Sequence, residues 1–417
     1  MLKFRIEPTE PLAADAGQIS IGVVGAGQFS GSFATLWDRH PNVDQLRVTD
    51  LRPERAEQLV ARLGRADTVR DFDALLASDV DAIAVMTQRW THAPFVLAAL
   101  EAGKHVYSAV PMATEITDIR AILDAVERTG LTYTMGETSY YNPAVVWARE
   151  KIADGQLGRV FYAEGDYVHD MDNGFYSAYR YSGGEEWKAT ASYPPMLYPT
   201  HALGGVLGAL PTRATSVSCL GIVDDRGDGV FDEQVSHWGN TFSNMTALFE
   251  LADGSAMRTN EFRRVGYWHG HESRFRYYGT EAVMEQTGHS ATLSIKSDGD
   301  DYAKGETLDI SDLFYTSGGQ TPDDLEDLDP ALVQSFVSGT AKVHHRDRLP
   351  ASYADAPNGH EGSHHYLADD FVRAVVTGVQ PPVDAHRAAL FTAPGIVANA
   401  SARAGGTRLE IPDFCLR

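Results

Sequence analysis

Three short stretches of this chain place side chains that can move protons. His201 follows a Tyr198-Pro199-Thr200 corner, and histidine is the side chain best matched to proton transfer at neutral pH. Tyr167 and His169 stand two apart in a run with strand character, so a phenol and an imidazole share one face. Glu137 follows Gly136 at the end of an apolar segment, where a parallel strand's carboxyl end leaves an acid beside a bound ligand. Each has a plainer use: a histidine that holds a helix start, a tyrosine that packs, an acid in a solvated turn. Tyr198 divides in the same way between a ring-stacking platform and a core residue.

A further stretch does chemistry with its backbone. Ile19, Ile21, Val23 and Val24 form a short apolar run, the mark of a strand buried on both faces. Gly25 and Gly27 break it, Gln28 and Phe29 follow, and Phe29 to His40 reads as a helix. Such a strand–turn–helix brings backbone close to a pyrophosphate and aims a helix N-terminus at it. The fit to Gly-x-Gly-x-x-Gly is incomplete, because Ser30 takes the third position and Gly31 falls one place late. A second apolar segment, Gln45 to Thr49, ends at Asp50, about twenty residues beyond the turn, where an acid binds the adenosine ribose hydroxyls. Asp50 would repel a 2′-phosphate, which favours NAD, while Arg52 could pair with one. Thr87, Trp90 and His92 come next to a later strand end, near a nicotinamide ribose or as a structural cap.

The elements that must position these groups alternate. Helical spacing over Pro53–Leu63, Phe72–Ala77, Ala93–Ala102 and Ile116–Thr129 is interleaved with apolar segments at Asp81–Thr87, Val106–Ala109 and Leu131–Gly136. The expected fold is a Rossmann-type α/β dinucleotide-binding domain over residues 1–136. After a helix starting at Asn142-Pro143, the texture changes to short strands: Val160–Val168, Thr212–Cys219, Thr241–Leu251, Ser255–Phe262, Glu272–Tyr278 and Ala282–Gln286. Residues 137–417 are therefore expected to form an α+β domain with a largely antiparallel open sheet, closed by helices near His364–Thr377 and Ala385–Ala404. Asp298 to Pro330 is acidic and turn-rich, read as a surface excursion or oligomer arm.

The totals set bounds. A chain of 417 residues, 43% hydrophobic and 22% charged, has the composition of a globular protein. A formal net charge of −22 argues against nucleic acid as a partner, and no apolar run approaches the roughly 20 residues of a membrane helix. Two cysteines and no apolar signal core near the N-terminus point to a cytoplasmic protein without a disulfide framework. No metal is expected. His360-Glu361-Gly362-Ser363-His364 spells a zinc-protease pattern, but Pro357 and Gly359 before it put the helix start at Ser363, and a substrate-loop role fits better. Asp224–Gly229 lacks the closing glutamate of a calcium loop and reads as a solvated turn.

Gly103-Lys-His-Val-Tyr-Ser-Ala-Val-Pro-Met-Ala113 and Gly155-Gln-Leu-Gly-Arg-Val-Phe-Tyr-Ala-Glu-Gly165 resemble the domain junctions of the Gfo/Idh/MocA oxidoreductases. The resemblance covers nearly the whole chain and implies an open sheet that often mediates homodimers or homotetramers. Most members carry Glu-Lys-Pro where this chain has Ala109-Val110-Pro111; the lysine assists proton transfer, and Val110 cannot. The usual Asp-x-x-x-His pair is also altered, with Leu197 four before His201. A narrower resemblance is to the family's NAD-dependent glycosidases of family 109. Tyr198-Pro-Thr-His-Ala-Leu-Gly204, Asp166-Tyr-Val-His-Asp170 and Gly359-His-Glu-Gly362 carry it, although Ala109 departs from that branch's glutamate. By motif, that branch's active-site Glu, Tyr and His match Glu137, Tyr167 and His201. The resemblance implies NAD-dependent hydride transfer at a carbohydrate ring carbon. Its alternatives are a glycoside hydrolase or lyase working by transient C3 oxidation and elimination, and a non-catalytic NAD- or sugar-binding protein.

Overall fold

The computed structural model describes residues 8–172, 175–266, 271–297, 304–316 and 338–415. Six strands form the first sheet: β1 (Ile19–Val24), β2 (Val43–Thr49), β3 (Ala66–Thr68), β4 (Ala82–Val85), β5 (His105–Ser108) and β6 (Tyr133–Met135). All pair in parallel, in the order β3-β2-β1-β4-β5-β6. Helices α1 (Gln28–Arg39), α2 (Pro53–Val60), α3 (Phe72–Leu76), α4 (His92–Glu101) and α5 (Ile116–Thr129) make the connections. The strand order reverses between β1 and β4, which opens a crevice at their carboxyl ends. Gly25 lies there with φ +95, and a Cβ on it would stand 2.7 Å from the Met86 carbonyl oxygen. Only glycine fits.

The second sheet is built from later elements. After α6 (Pro143–Ala153), whose first turn is capped by Asn142 accepting from the Ala144 N–H, come β7 (Val160–Val168), α7 (Phe175–Gly183), α8 (Trp187–Ala191) and α9 (Thr200–Ala209). The strands β8 (Ala214–Val223), β9 (Phe242–Leu251), β10 (Ala256–Phe262), β11 (Ser273–Gly279), β12 (Ala282–Gln286), β13 (Ala291–Ile295) and β14 (Glu306–Asp309) follow. Helices α10 (Ser363–Thr377) and α11 (Ala385–Arg403) and the short β15 (Leu409–Glu410) end the chain. The sheet order is β14-β13-β12-β11-β7-β10-β9-β8-β15, antiparallel except for the parallel β7–β10 pair. One face packs on α9, which is buried along its whole length. The other exposes Leu220 and Leu248 beside a row of ion pairs joining Glu164 and Asp166 to Arg258 and Arg276.

The last two helices return to the first sheet. Trp37 on α1 donates its indole N–H to the Ala368 carbonyl on α10 at 3.4 Å. The Met135 N–H on β6 bonds the Val383 carbonyl, and the Met112 N–H bonds the Thr392 hydroxyl on α11. At its far end α11 reaches β8, where Ser401 accepts from the Cys219 N–H.

Three differences from the sequence reading have physical causes. β13, β14 and β15 are further strands, because edge strands exposed on one side carry Thr, Ser and Glu and read as loop. α9 is a full helix although three glycines interrupt it, since burial against β7 overrides propensity. The Asp224–Gly229 turn is anchored: Arg264 bonds both the Asp224 and Asp228 carboxylates, at 2.5 and 2.7 Å. Of the Asp298–Pro330 excursion, residues 298–303 and 317–330 lie outside the described residues.

Candidate active site

The site forms where β6 ends and the inner face of the second sheet meets α9. Glu137 is fully buried, and its Oε1 accepts from the Ser139 N–H at 2.7 Å and lies 2.9 Å from His201 Nδ1. His201, in the first turn of α9, is 2% exposed, and its Nε2 is 3.2 Å from the Tyr198 hydroxyl. A carboxylate on Nδ1 keeps the proton there and leaves Nε2 to accept from the phenol. The result is a carboxylate–imidazole–phenol chain. Burial alone would raise the Glu137 carboxyl, but the interaction with His201 and the hydrogen bonds it receives hold it below the usual carboxylate range. One turn further along α9, a Cβ at Gly204 would stand 2.6 Å from Glu137 Cγ. The helix can cross this acid only because position 204 has no side chain.

Tyr167 sits between two such pairs. Its ring centroid is 4.6 Å from that of His201 and 5.4 Å from that of His169, and His169 Nδ1 is 2.8 Å from Glu272 Oε2. Burial opposes ionisation of Glu272, yet the His169 partner wins and lowers its pKa. Tyr167 itself is raised well above the ordinary phenol value by burial and then by Glu272, so it is a neutral O–H donor at neutral pH. Arg263 stacks over Tyr167, with 4.7 Å from its guanidinium carbon to the ring centroid, and is tied to Glu261 at 2.8 Å. Glu261 is fully buried opposite Tyr167 in the β7–β10 pairing, and burial pushes its carboxyl up to about 8.

Sequence reasoning named the members of the Glu137–His201–Tyr198 chain and the Tyr167–His169 pair, and the fold brings all five together. It missed Glu261, Arg263, Glu272 and Arg89. Arg89 follows Thr87 at the end of β4 and stacks over Tyr198 at 4.3 Å. The strand alternation that places Tyr167 also applies to Glu261 and could have flagged it; Arg89 left no pattern to read. Val110 is 5% exposed and packs in the apolar core.

His360 joins the site, with its ring centroid 6.0 Å from that of His201. His360 and Glu361 have positive φ, 44 and 56, and α10 starts at Ser363. His360 Nδ1 and His364 Nε2 bond each other at 2.7 Å, one donating and one accepting, so these nitrogens are spent on each other. Burial and the neighbouring His201 push His360 down to about 4.

The glycine turn fits a dinucleotide. Asp50 accepts from the Ala26 N–H at 2.8 Å, which braces the turn from the end of β2. The first turn of α1 has no side-chain cap and no acid, and a Cβ on Gly27 would meet nothing within 4 Å. Open space beside Gly27 thus leaves room for a pyrophosphate to approach the start of α1. Phe29 lies beside His360, centroids 5.9 Å apart, which links this turn to the His201 cluster. Arg52 and Arg55 both reach across to α7: their guanidiniums bond the Tyr181 carbonyl at 3.4 and 2.6 Å. Trp90 faces outward against Trp238, 5.1 Å between centroids. His92 is buried inside the wall with its nitrogens 2.7 and 3.1 Å from the Pro111 and Thr87 carbonyls, so it clamps the strand end.

Residues 19–137 match the Gfo/Idh/MocA oxidoreductase family, NAD-binding Rossmann fold. The chain carries a Gfo/Idh/MocA NAD-binding domain. Beyond the Gfo/Idh/MocA domain, a glycosyl hydrolase family 109 protein from Streptomyces coelicolor is 24% identical over 95% of this chain and 83% of its own length. Among solved structures, levoglucosan dehydrogenase in complex with NADH and levoglucosan is 16% identical with a TM-score of 0.69, over 95% of this chain and all of that one. UDP-N-acetylglucosamine 3-dehydrogenase from Acidithiobacillus ferrooxidans is 15% identical with a TM-score of 0.62, over 93% and 98% of the two chains. These two structures share the fold of both domains.

Proposed function

We propose that this protein is an NAD-dependent oxidoreductase that acts on a carbohydrate at a ring carbon. The observation that carries this is the buried Glu137–His201–Tyr198 chain beside a dinucleotide-ready turn, in a chain where Val110 cannot serve as a base. Gly25, Gly27, the first turn of α1 and Asp50 would hold NAD, which supplies the hydride acceptor. The substrate hydroxyl gives its proton to Tyr198 as the phenol passes its own to His201 Nε2. Glu137 holds Nδ1–H and stabilises the imidazolium that forms. Tyr167, neutral and beside His201, donates a hydrogen bond to a substrate oxygen. Relatives named for sugar dehydrogenases and for glycosyl hydrolase family 109 support a carbohydrate substrate.

A second reading has its own observation. Net oxidation of a carbinol needs one base, whereas oxidation followed by elimination and readdition needs a second group to deprotonate C2 and protonate the leaving oxygen. The His169–Glu272 pair on the other side of Tyr167 is such a group. Three readouts on a panel of sugars and glycosides separate the possibilities: NADH accumulation, aglycone release, and exchange of the C2 hydrogen with solvent deuterium. Stoichiometric NADH supports a dehydrogenase; aglycone and exchange without net NADH support the glycosidase or lyase. A protein that binds NAD and shows none of these is a binder, and the proposal fails.

We also propose that residues 1–136 and 137–417 divide the work between cofactor and substrate, and that the protein is cytoplasmic. The sheet face exposing Leu220 and Leu248 would pair two copies of the chain; light scattering coupled to size exclusion tests for a dimer or tetramer.

A further inference from the structure

The charges around Tyr167 and Tyr198 are matched in pairs: Glu137 with His201, Glu272 with His169, and Glu261 with Arg263. Arg89 is different. Among the described residues its only hydrogen bond goes to a phenol, from Nη1 to the Tyr179 hydroxyl at 2.7 Å, and no carboxylate pairs with it. Its guanidinium lies over three tyrosine rings, 4.3 Å from the Tyr198 centroid, 5.4 Å from Tyr193 and 5.7 Å from Tyr179. Aromatic faces attract a guanidinium but use none of its five N–H donors. Arg89 is part-exposed, so its remaining donors are left for solvent or an incoming anion.

The surroundings indicate which anion. Tyr198, under Arg89, is the phenol that reaches His201, so Arg89 stands one ring away from the proton-handling chain. Beside it, Trp90, Tyr193 and Trp238 pack edge to face, with Trp90–Trp238 centroids 5.1 Å and Tyr193–Trp238 centroids 4.7 Å apart. Both tryptophans are part-exposed, and such rings accept the apolar face of a pyranose. A guanidinium fork matches a carboxylate in geometry and charge. We infer that Arg89 receives the carboxylate of an acidic sugar, so that the substrate is a uronic acid or a glycoside of one. This names the substrate class for the carbohydrate reading above and rests on it.

The test compares matched sugars that differ only in a C6 carboxylate against a C6 alcohol, using the NAD-loaded wild-type protein, Arg89→Gln and Arg89→Lys. Wild type should favour the acid in kcat/KM on the order of 10- to 100-fold, the size of a hydrogen bond to a charged group. Arg89→Gln should lower kcat/KM for the acid by about that factor more than for the alcohol, with Arg89→Lys between. The wild-type preference is informative even if a variant fails to fold. Calorimetric binding of the sugar acid to NAD-loaded protein gives a readout without turnover and should weaken in Arg89→Gln.

Preference for the neutral sugar in wild type overturns the inference while leaving the redox reading intact. An equal loss on both sugars, together with weaker NAD binding by fluorescence titration, also overturns it and assigns the guanidinium to a cofactor phosphate. If no sugar of either kind reacts, the redox reading fails; calorimetry then decides Arg89 alone, since sugar-acid binding lost in Arg89→Gln supports its role and no binding to wild type overturns it.

Discussion

Gly204→Ala isolates the contact between α9 and Glu137. In a helix interior this substitution ordinarily stabilises by about 1 kcal/mol, because alanine loses less backbone freedom than glycine. Here the new methyl would stand 2.6 Å from Glu137 Cγ and 3.1 Å from its Cδ, where real contacts between carbons are about 3.5–4.0 Å. One partner must move by roughly 1 Å. The helix is buried along its length, and Glu137 is held by Ser139 and His201, so the carboxylate and its imidazole shift together. Overpacking of this kind costs about 1–3 kcal/mol, which the helix gain partly offsets, so the melting temperature should fall by only a few degrees. A 1 Å misplacement of a catalytic group costs on the order of 10² in rate. Activity should therefore fall about a hundredfold in a protein that is still folded and binds NAD. Gly208→Ala is the control: its Cβ comes no closer than 3.2 Å to Tyr140, away from Glu137, and activity should stay near wild type. The two variants are compared by thermal melts, NAD titration and turnover on the best sugar found. A Gly204→Ala protein with normal turnover would refute the assignment of Glu137 and His201 as a working pair.

Tyr167→Phe keeps the ring against His201 and removes only the hydroxyl, so turnover should drop about 10- to 100-fold with little change in melting temperature; an unchanged kcat makes the residue packing. NAD should bind at least about tenfold more tightly than NADP, because Asp50 stands at the ribose end of the turn; equal dissociation constants would contradict this. Acid should destabilise the fold before ordinary carboxylates titrate. His360 and His365 are held near about 4 and His364 well below its usual value, mainly by burial, while an unfolded histidine takes up its proton near 6.5. Their contribution is complete above about pH 6.5 and is lost as pH falls toward 4. Burial lowers His92 and His105 in the same sense, whereas for His271 burial lowers the pKa but the Glu361 bond prevails and raises it, which opposes the trend. Stability should therefore fall as the pH drops, by about 1.4 kcal/mol per pH unit for each proton taken up on unfolding, measurable by urea unfolding between pH 7 and 5. A flat profile there would show that the three rings are not buried neutral.

Much of the first sheet was legible because its code is local. The Ile19–Gly27 turn, the exact span Ile116–Thr129 and the Asn142-Pro143 start depend on neighbouring residues, and glycine, proline and apolar spacing report them directly. The candidate site was legible as a set of types but not as an arrangement. Glu137 and His201 are 64 residues apart, and no spacing rule says that they bond. Arg263 and Glu272 were unreadable for the same reason, since their roles come from strands that pair across β7. His360 was visible only inside a misleading motif, and the positive φ of His360 and Glu361 shows why a helical reading of it fails.

The return of α10 and α11 to the first sheet bears on how the chain is made. The backbone of β6 is tied to Val383 and that of Met112 to Thr392, so the wall of the NAD-binding domain is completed by residues synthesised some 250 positions later. On the ribosome, which emits roughly 5–20 residues per second, this leaves α5 and the β6 edge uncovered for many seconds. Residues 1–136 cut out as a separate fragment would keep that apolar face bare and tend to aggregate. The division proposed between cofactor and substrate halves would be one of labour, while folding closes only when the C-terminal helices arrive.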